Sequence, residues 1–396
     1  MRNIIITGGE LFNKGAQAMT FITVDEIRKR FPQHHIYVLS DMDLQRPRSE
    51  REQYTFDFMG WYPMKFARCQ KNPLLRILCT LSSGRELKEA EEIYKNTDMM
   101  IDISGYALGS VWNYHYCNLY LEHLEFAKAF DIPVYLMPQS FGPFDFMGEK
   151  GKELDERVRK LLPGVKRICA REQEGYDMLV DTYHLDNVCI KGDIVLNNRG
   201  IELTNIYRQI PELSLPKIAK KSIAIIPNGQ AIKVGNREHI FQLYHTAIVE
   251  MLKKGRTIYL LSHSTPDKEF CQQIKKGFQA EERVVLLEED FSCIEFNELV
   301  KKFEFIIASR FHSIVHAYKN GIPCVVLGWA VKYHELAALF NQERYLFDVR
   351  TATQTEEIFK AISEISECFV DESDKIKSLL QDVQKENVFN ILSLEK

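Results

Sequence analysis

The chain has 396 residues, with 51 Lys and Arg against 55 Asp and Glu, a formal net charge of −4; 45% of it is hydrophobic and 27% charged. These values exclude a disordered or collagen-like chain and predict two to three globular domains. The near balance of charge argues against a general nucleic-acid binder, so anionic ligands must be met by local cations. The nine cysteines form no Cys-x-x-Cys pair, which excludes a zinc or thioredoxin-type signature and fits a reducing cytoplasm. The opening MRNIIITGGE is too short for a secretory signal and leads into glycines as a strand does. No apolar run reaches the length of a membrane span.

In chain order, short apolar runs alternate with helical patterns. The runs fall at 4–6, 36–39, 99–103, 133–137, 168–170 and 188–190, with helices read at 16–31 and 116–130. Continuous apolar strands between amphipathic helices imply a parallel sheet covered on both faces. Residues 1–200 therefore read as a doubly wound, Rossmann-like α/β domain. Within it, the segment 44–96 is irregular and basic: the window 45–88 holds nine Lys/Arg and four Asp/Glu. Its stretch 65–81 mixes bases with apolar residues. One reading is an interfacial helix touching anionic lipid at the inner face of the membrane; the other is a solvated hairpin packed on the domain. After a linker at 199–218, strands at 222–227, 257–262, 284–287, 305–309 and 324–327 alternate with helices at 236–254, 267–279, 295–302 and 312–320. Residues 215–371 thus form a second Rossmann-like domain facing the first across a cleft, and 372–396 a C-terminal helix.

Ligands of doubly wound sheets bind at the carboxyl ends of strands. In the first domain those ends carry Asn13 and Gly15, then Ser104 and Gly105, then Gln139 and Ser140. Glycine lets the backbone approach a ligand, and the neutral polar groups suit a carbohydrate. The spacing is not that of a dinucleotide fingerprint. Arg171 follows the strand ending at Ala170, where its fork can meet a carboxylate or phosphate; a surface pair with Glu172 is the alternative. In the second domain, Arg310, His312 and Ser313 sit at a strand–helix junction, where the helix N-terminus adds positive potential. An arginine there fixes an anion, and a histidine two residues on exchanges a proton near neutral pH. Lys332 adds a second cation, and Asn228 and His263 occupy equivalent rim positions. Zincin, α/β-hydrolase and P-loop motifs are missing from the sequence, and no metal-ligand cluster is visible.

The order of motifs resembles the polysaccharide pyruvyl transferase family. It rests on Asn13-x-Gly15, Ile101-Asp102-Ile103-Ser104-Gly105, Gln139-Ser140-Phe141-Gly142-Pro143, Ala170-Arg171-Glu172, Gly192-Asp193 and Ser309-Arg310-Phe311-His312-Ser313, followed by Gly321-Ile322-Pro323. The resemblance implies a GT-B-like fold. It implies transfer of the pyruvyl group of phosphoenolpyruvate to two hydroxyls of one sugar, or of a lipid-linked oligosaccharide, in surface or capsular polysaccharide synthesis. Phosphoenolpyruvate is then a co-substrate and no cofactor is needed. It further implies that His312 and Arg310 are catalytic, with His312 the proton donor. Arg171, Arg310, His312, Ser313, Lys332, His263 and Asn228 face the donor, and Asn13, Gly15, Ser104, Gly105, Gln139 and Ser140 face the acceptor. Two other readings stay open: a nucleotide-sugar glycosyltransferase or epimerase of the same architecture, and a non-catalytic sugar-binding protein.

Overall fold

The computed structural model describes residues 2–60, 88–350 and 354–394. The first domain is built on seven parallel strands, β1 (Asn3–Thr7), β2 (His35–Leu39), β3 (Asp57–Met59), β4 (Thr97–Asp102), β5 (Val134–Gln139), β6 (Arg167–Ala170) and β7 (Val188–Ile190), in the order 3-2-1-4-5-6-7. Buried on both faces, β1 and β4 carry the apolar runs Ile4–Ile6 and Met99–Ile101 at their centres. The second domain repeats the plan with six parallel strands: β8 (Ser222–Ile226), β9 (Thr257–Leu261), β10 (Val284–Leu287), β11 (Ile306–Ala308), β12 (Cys324–Gly328) and β13 (Leu346–Asp348). Their order is 10-9-8-11-12-13. In each sheet the winding reverses once, between β1 and β4 and between β8 and β11, which opens a crevice at the carboxyl edge.

The two carboxyl edges meet. Asn13 pairs through the backbone with Ser264 across the domains, Lys14 reaches Asp290 at 3.1 Å, and Gln17 Oε1 accepts from the Cys293 amide at 2.6 Å. One apolar core runs through the joint, with Ile4 and Phe21 of the first domain in the same cluster as Phe296 and Ile314 of the second. The two sheets and this joint give the expected GT-B arrangement of two Rossmann-like domains.

The segment read as a linker divides. Ile206 and Tyr207 are buried in the first domain, where Thr55 donates to the Ile206 carbonyl, so the connection proper begins near residue 208. The helix read at 372–396 begins earlier and ends earlier, at Thr355–Val383, with a non-helical residue at Cys368. Ile358, Ala361, Ile362 and Ile365 are buried along its first half. After it the chain returns to the first domain. Asn197 Nδ2 donates to the Val383 and Glu386 carbonyls, and Tyr135 Oη donates to the Ser393 carbonyl. The stretch 65–81 lies outside the described residues. Among the described residues no helix is long and apolar enough to cross a membrane.

Candidate active site

Arg171 leaves the end of β6 and turns inward. Its side chain is only 6% exposed, and each nitrogen of the guanidinium has a partner: Nε to Glu172 Oε1 at 2.8 Å, Nη1 to Asp193 Oδ2 at 3.1 Å, and Nη2 to Ser140 Oγ at 2.6 Å. Ser140 in turn donates to Glu172 Oε1. The flat face of the guanidinium lies 4.5 Å from the ring of Phe311 in the other domain, a contact that Lys would not reproduce. Asp193 caps the helix Ile194–Asn197 by accepting from the Val195 and Leu196 amides. Burial alone would raise its carboxyl, but His312, Arg171 and those amides hold it below the usual range.

The helix Phe311–Lys319 opens directly after β11 and brings His312 over this network. His312 Nε2 lies 3.7 Å from Asp193 Oδ2, too long for a hydrogen bond, and it has no hydrogen-bond partner among the described residues. The ring rests on the backbone of Gly15: a Cβ added there would stand 2.7 Å from His312 Cβ and still nearer the ring. Burial pushes the imidazole down to about 4; Asp193 opposes this, while Arg171, Lys332 and Arg310 add to it. His312 is therefore neutral at pH 7 in this setting.

Lys332 approaches from the helix Val331–Leu339, its ammonium 5.1 Å from the Phe311 ring, 5.6 Å from Tyr106 and 5.9 Å from Tyr333. It has no carboxylate at ion-pair distance among the described residues, and burial, helped by Arg171, pushes it down to about 8. Arg310 differs. It grips Asp267 with Nε and Nη2 at 2.7 and 2.8 Å and also donates to Ser264 Oγ, so its charge is already compensated. Beside these groups lies a cleft of about 310 Å³ between the domains. Ser140, Pro143 and Glu172 line one wall, and Trp329, Lys332 and Arg350 the other.

The remaining expected residues are placed as follows. Gln139 is fully buried; its amide donates to Asp102 Oδ1 at 3.0 Å and accepts from Tyr120 at 3.1 Å. Ser104 donates to Asp102 Oδ2, and Gly8, at φ +72°, folds the preceding turn tightly against Ser104. Gly105, at φ +71°, shapes the same loop. With a third bond from Thr7 Oγ1, Asp102 ties the carboxyl ends of β1, β4 and β5 together, and burial raises its carboxyl. Asn13 and Asn228 each cap the following helix through their side-chain carbonyls. Ser313 donates to the Arg310 carbonyl. His263 is 1% exposed, with both ring nitrogens unpartnered among the described residues and its pKa driven well down by burial. Ser140 and Lys332 line the cleft, and Arg171, bonded to Ser140, stands beside it with His312 near by. Asn13, Gly15, Ser104, Gly105, Gln139, Asn228, His263 and Ser313 are not among its lining residues. Sequence reasoning offered Glu172 as a surface partner of Arg171 and held Asp193 only as part of a motif; it missed Asp267 and the aromatic wall of Tyr106 and Trp329. Ser264-x-x-Asp267 after β9 was the available signal.

The model of the family described as polysaccharide pyruvyl transferase matches residues 13–330. The chain belongs to the polysaccharide pyruvyl transferase family. That match takes in the Asn13 loop, Arg171, Asp193 and the Arg310–Ser313 junction, and ends just before Lys332. No functionally curated protein matches the sequence. Among solved structures, a UDP-GlcNAc 2-epimerase from Methanocaldococcus jannaschii is similar at a TM-score of 0.55 and 12% identity, over 92% of each chain. The Neisseria meningitidis UDP-GlcNAc 2-epimerase bound to UDP-GlcNAc is similar at 0.54 and 13%, over 99% of this chain and 96% of that one. A UGT2 of Phytolacca americana gives 0.52 and 12%, over 98% and 96%. At these identities the likeness is one of fold, and the pyruvyl transferase family shares the GT-B architecture with these proteins.

Proposed function

We propose that the protein transfers the pyruvyl group of phosphoenolpyruvate to two hydroxyls of one sugar and releases phosphate. The observation that supports this most is the gathering of Arg171 and Lys332 around His312, whose Nε2 has no hydrogen-bond partner among the described residues, beside the inter-domain cleft. The donor's carboxylate and phosphate need cations, and its methylene carbon needs an acid. Lys332, which has no carboxylate at ion-pair distance among the described residues, is the cation most available to the donor, with Arg171 held rigid beside it. Arg310 takes part once the donor competes with Asp267.

The acid role requires a charged imidazole, which the ligand-free site disfavours. An anionic donor reverses this. Its negative charge offsets Arg171 and Lys332 and raises the His312 pKa from about 4, so the donor brings the conditions for its own protonation. His312 then gives a proton to the methylene carbon, which becomes a methyl group. The first sugar hydroxyl adds to the adjacent carbon and its proton returns to the now neutral His312. The second hydroxyl displaces phosphate, closes the ketal ring and gives up the second proton, which phosphate carries away. Ser140 and Glu172, on the cleft wall, serve the acceptor hydroxyls. The sugar belongs to a surface or capsular polysaccharide precursor, free or lipid-linked.

Purified protein incubated with phosphoenolpyruvate and a panel of glycosides tests the proposal by phosphate release and product mass. Turnover by His312→Ala as fast as wild type would sink the acid role. A thermal-shift screen separates the nucleotide-sugar reading: stabilisation by UDP or GDP and not by phosphoenolpyruvate would favour that alternative, and sugar binding without turnover the non-catalytic one.

A further inference from the structure

A second cavity, of about 440 Å³, lies where the domains are joined and shares no lining residue with the cleft. That volume is in the range of small-molecule sites. Its walls come from the first helix of the chain, the residues Asn198–Leu203, the helices Cys293–Val300 and Phe311–Lys319, and the end of the C-terminal helix. One side is apolar, with Ala18, Ile22, Val195 and Leu380. The other carries Arg199, Lys301 and Lys319 against the single carboxylate of Glu298.

The charges are not equally compensated. Lys301 pairs with Glu298, and Arg199 donates to the Gln384 carbonyl at 2.8 Å. Lys319 Nζ has only a neutral partner among the described residues, the Asn198 side-chain carbonyl at 3.2 Å. Burial pushes its ammonium down to about 8. One turn earlier, His316 is 2% exposed; its Nδ1 meets Asn297 at 3.2 Å, and its Nε2 has no partner among the described residues. A half-buried cation whose partner is neutral and a buried ring nitrogen without one are costly unless something else supplies them.

We propose that this joint cavity is a second ligand site, which takes a small hydroxylated organic molecule with one oxyanion head, phosphate or carboxylate, against Lys319, a hydroxyl against His316 Nε2, and an apolar or sugar-sized body against the opposite wall. The Lys319 ammonium donates to the oxyanion; His316 Nδ1 donates to Asn297 Oδ1, which leaves Nε2 to accept from a hydroxyl of the ligand. The inference does not depend on the pyruvyl-transfer reading, because neither Lys319 nor His316 belongs to the cleft.

Isothermal titration of the full chain with inorganic phosphate, glucose 1-phosphate and gluconate tests it and tells phosphate from carboxylate heads. The expected result is binding of glucose 1-phosphate or gluconate that Lys319→Met weakens at least tenfold and Lys332→Met leaves in place. Phosphoenolpyruvate binding at the cleft should persist in Lys319→Met. Binding of all three probes unchanged by Lys319→Met, or no binding by wild type, would overturn the site. Should Lys319→Met not fold, acetic anhydride labelling of the wild type at pH 8 decides. Saturating probe should slow Lys319 acetylation at least fivefold, and an unchanged rate with every probe refutes the proposal.

Discussion

Replacing Gly15 by alanine isolates the contact between the domains that seats His312. Gly15 lies in the first turn of the helix Lys14–Arg30, where alanine is intrinsically better than glycine by up to about 1 kcal/mol. Against this, the new Cβ would stand 2.7 Å from His312 Cβ, roughly 1 Å inside a normal carbon contact. Forcing such a group into a packed site costs about 1–3 kcal/mol, so the clash outweighs the propensity. The expected net loss is about 0–2 kcal/mol, read as a melting temperature a few degrees lower at about 2–4 °C per kcal/mol. The imidazole must also retreat by about 1 Å, a displacement that costs on the order of 100-fold in rate for a group that works at the reacting atoms. Differential scanning fluorimetry and phosphate release from phosphoenolpyruvate, run on the same samples, give both numbers. A variant that melts higher than wild type and turns over normally would refute the idea that Gly15 exists to seat His312.

Lys332→Met should raise the KM for phosphoenolpyruvate at least tenfold while changing kcat less. Because Lys332 sits near a pKa of about 8, donor affinity in the wild type should fall as pH rises through 8, and the variant should lose that dependence. The folded-state pKa of His312, about 4, is below its unfolded value of about 6.5. The unfolded chain therefore binds more protons between those values, and stability falls as pH drops through that window. Urea unfolding should show His312→Gln sparing about 2 kcal/mol of the loss between pH 6.5 and 5, at about 1.36 kcal/mol per unit; equal losses would argue against a neutral buried imidazole. Arg171→Ala leaves Glu172 and Asp193 buried without their cation, and should cost about 3–5 kcal/mol in urea unfolding.

Much of the fold was legible because parallel strands buried on both faces are written as unbroken apolar runs, as at Ile4–Ile6 and Val325–Leu327. The strands that escaped, Asp57–Met59 and Leu346–Asp348, are three-residue edge strands, too short for any period to show. The helix Gly148–Leu161 buries only Gly151, Leu154, Val158 and Leu161, so its polar surface hid it. Arg171, His312 and Lys332 were legible from their places at strand ends and helix starts. Their partners were not, because Arg310 meets Asp267 across 43 positions of sequence and Gly15 meets His312 across the two domains. No local pattern encodes such a meeting. Gln139 shows the converse: its loop placement was legible, but only the fold reveals that its amide turns inward to Asp102.

The chain crosses between the domains twice, once beyond residue 207 and again where the C-terminal helix gives way to the segment that binds Asn197 and Tyr135. Two bodies joined at one point can twist and splay freely; joined at two, they keep chiefly the rotation about the line through both. The two crossings lie side by side, where Gln384 Nε2 donates to the Asn198 carbonyl. Connections so placed resist twist and splay and leave rotation about the line through them as the least hindered change of the cleft's width.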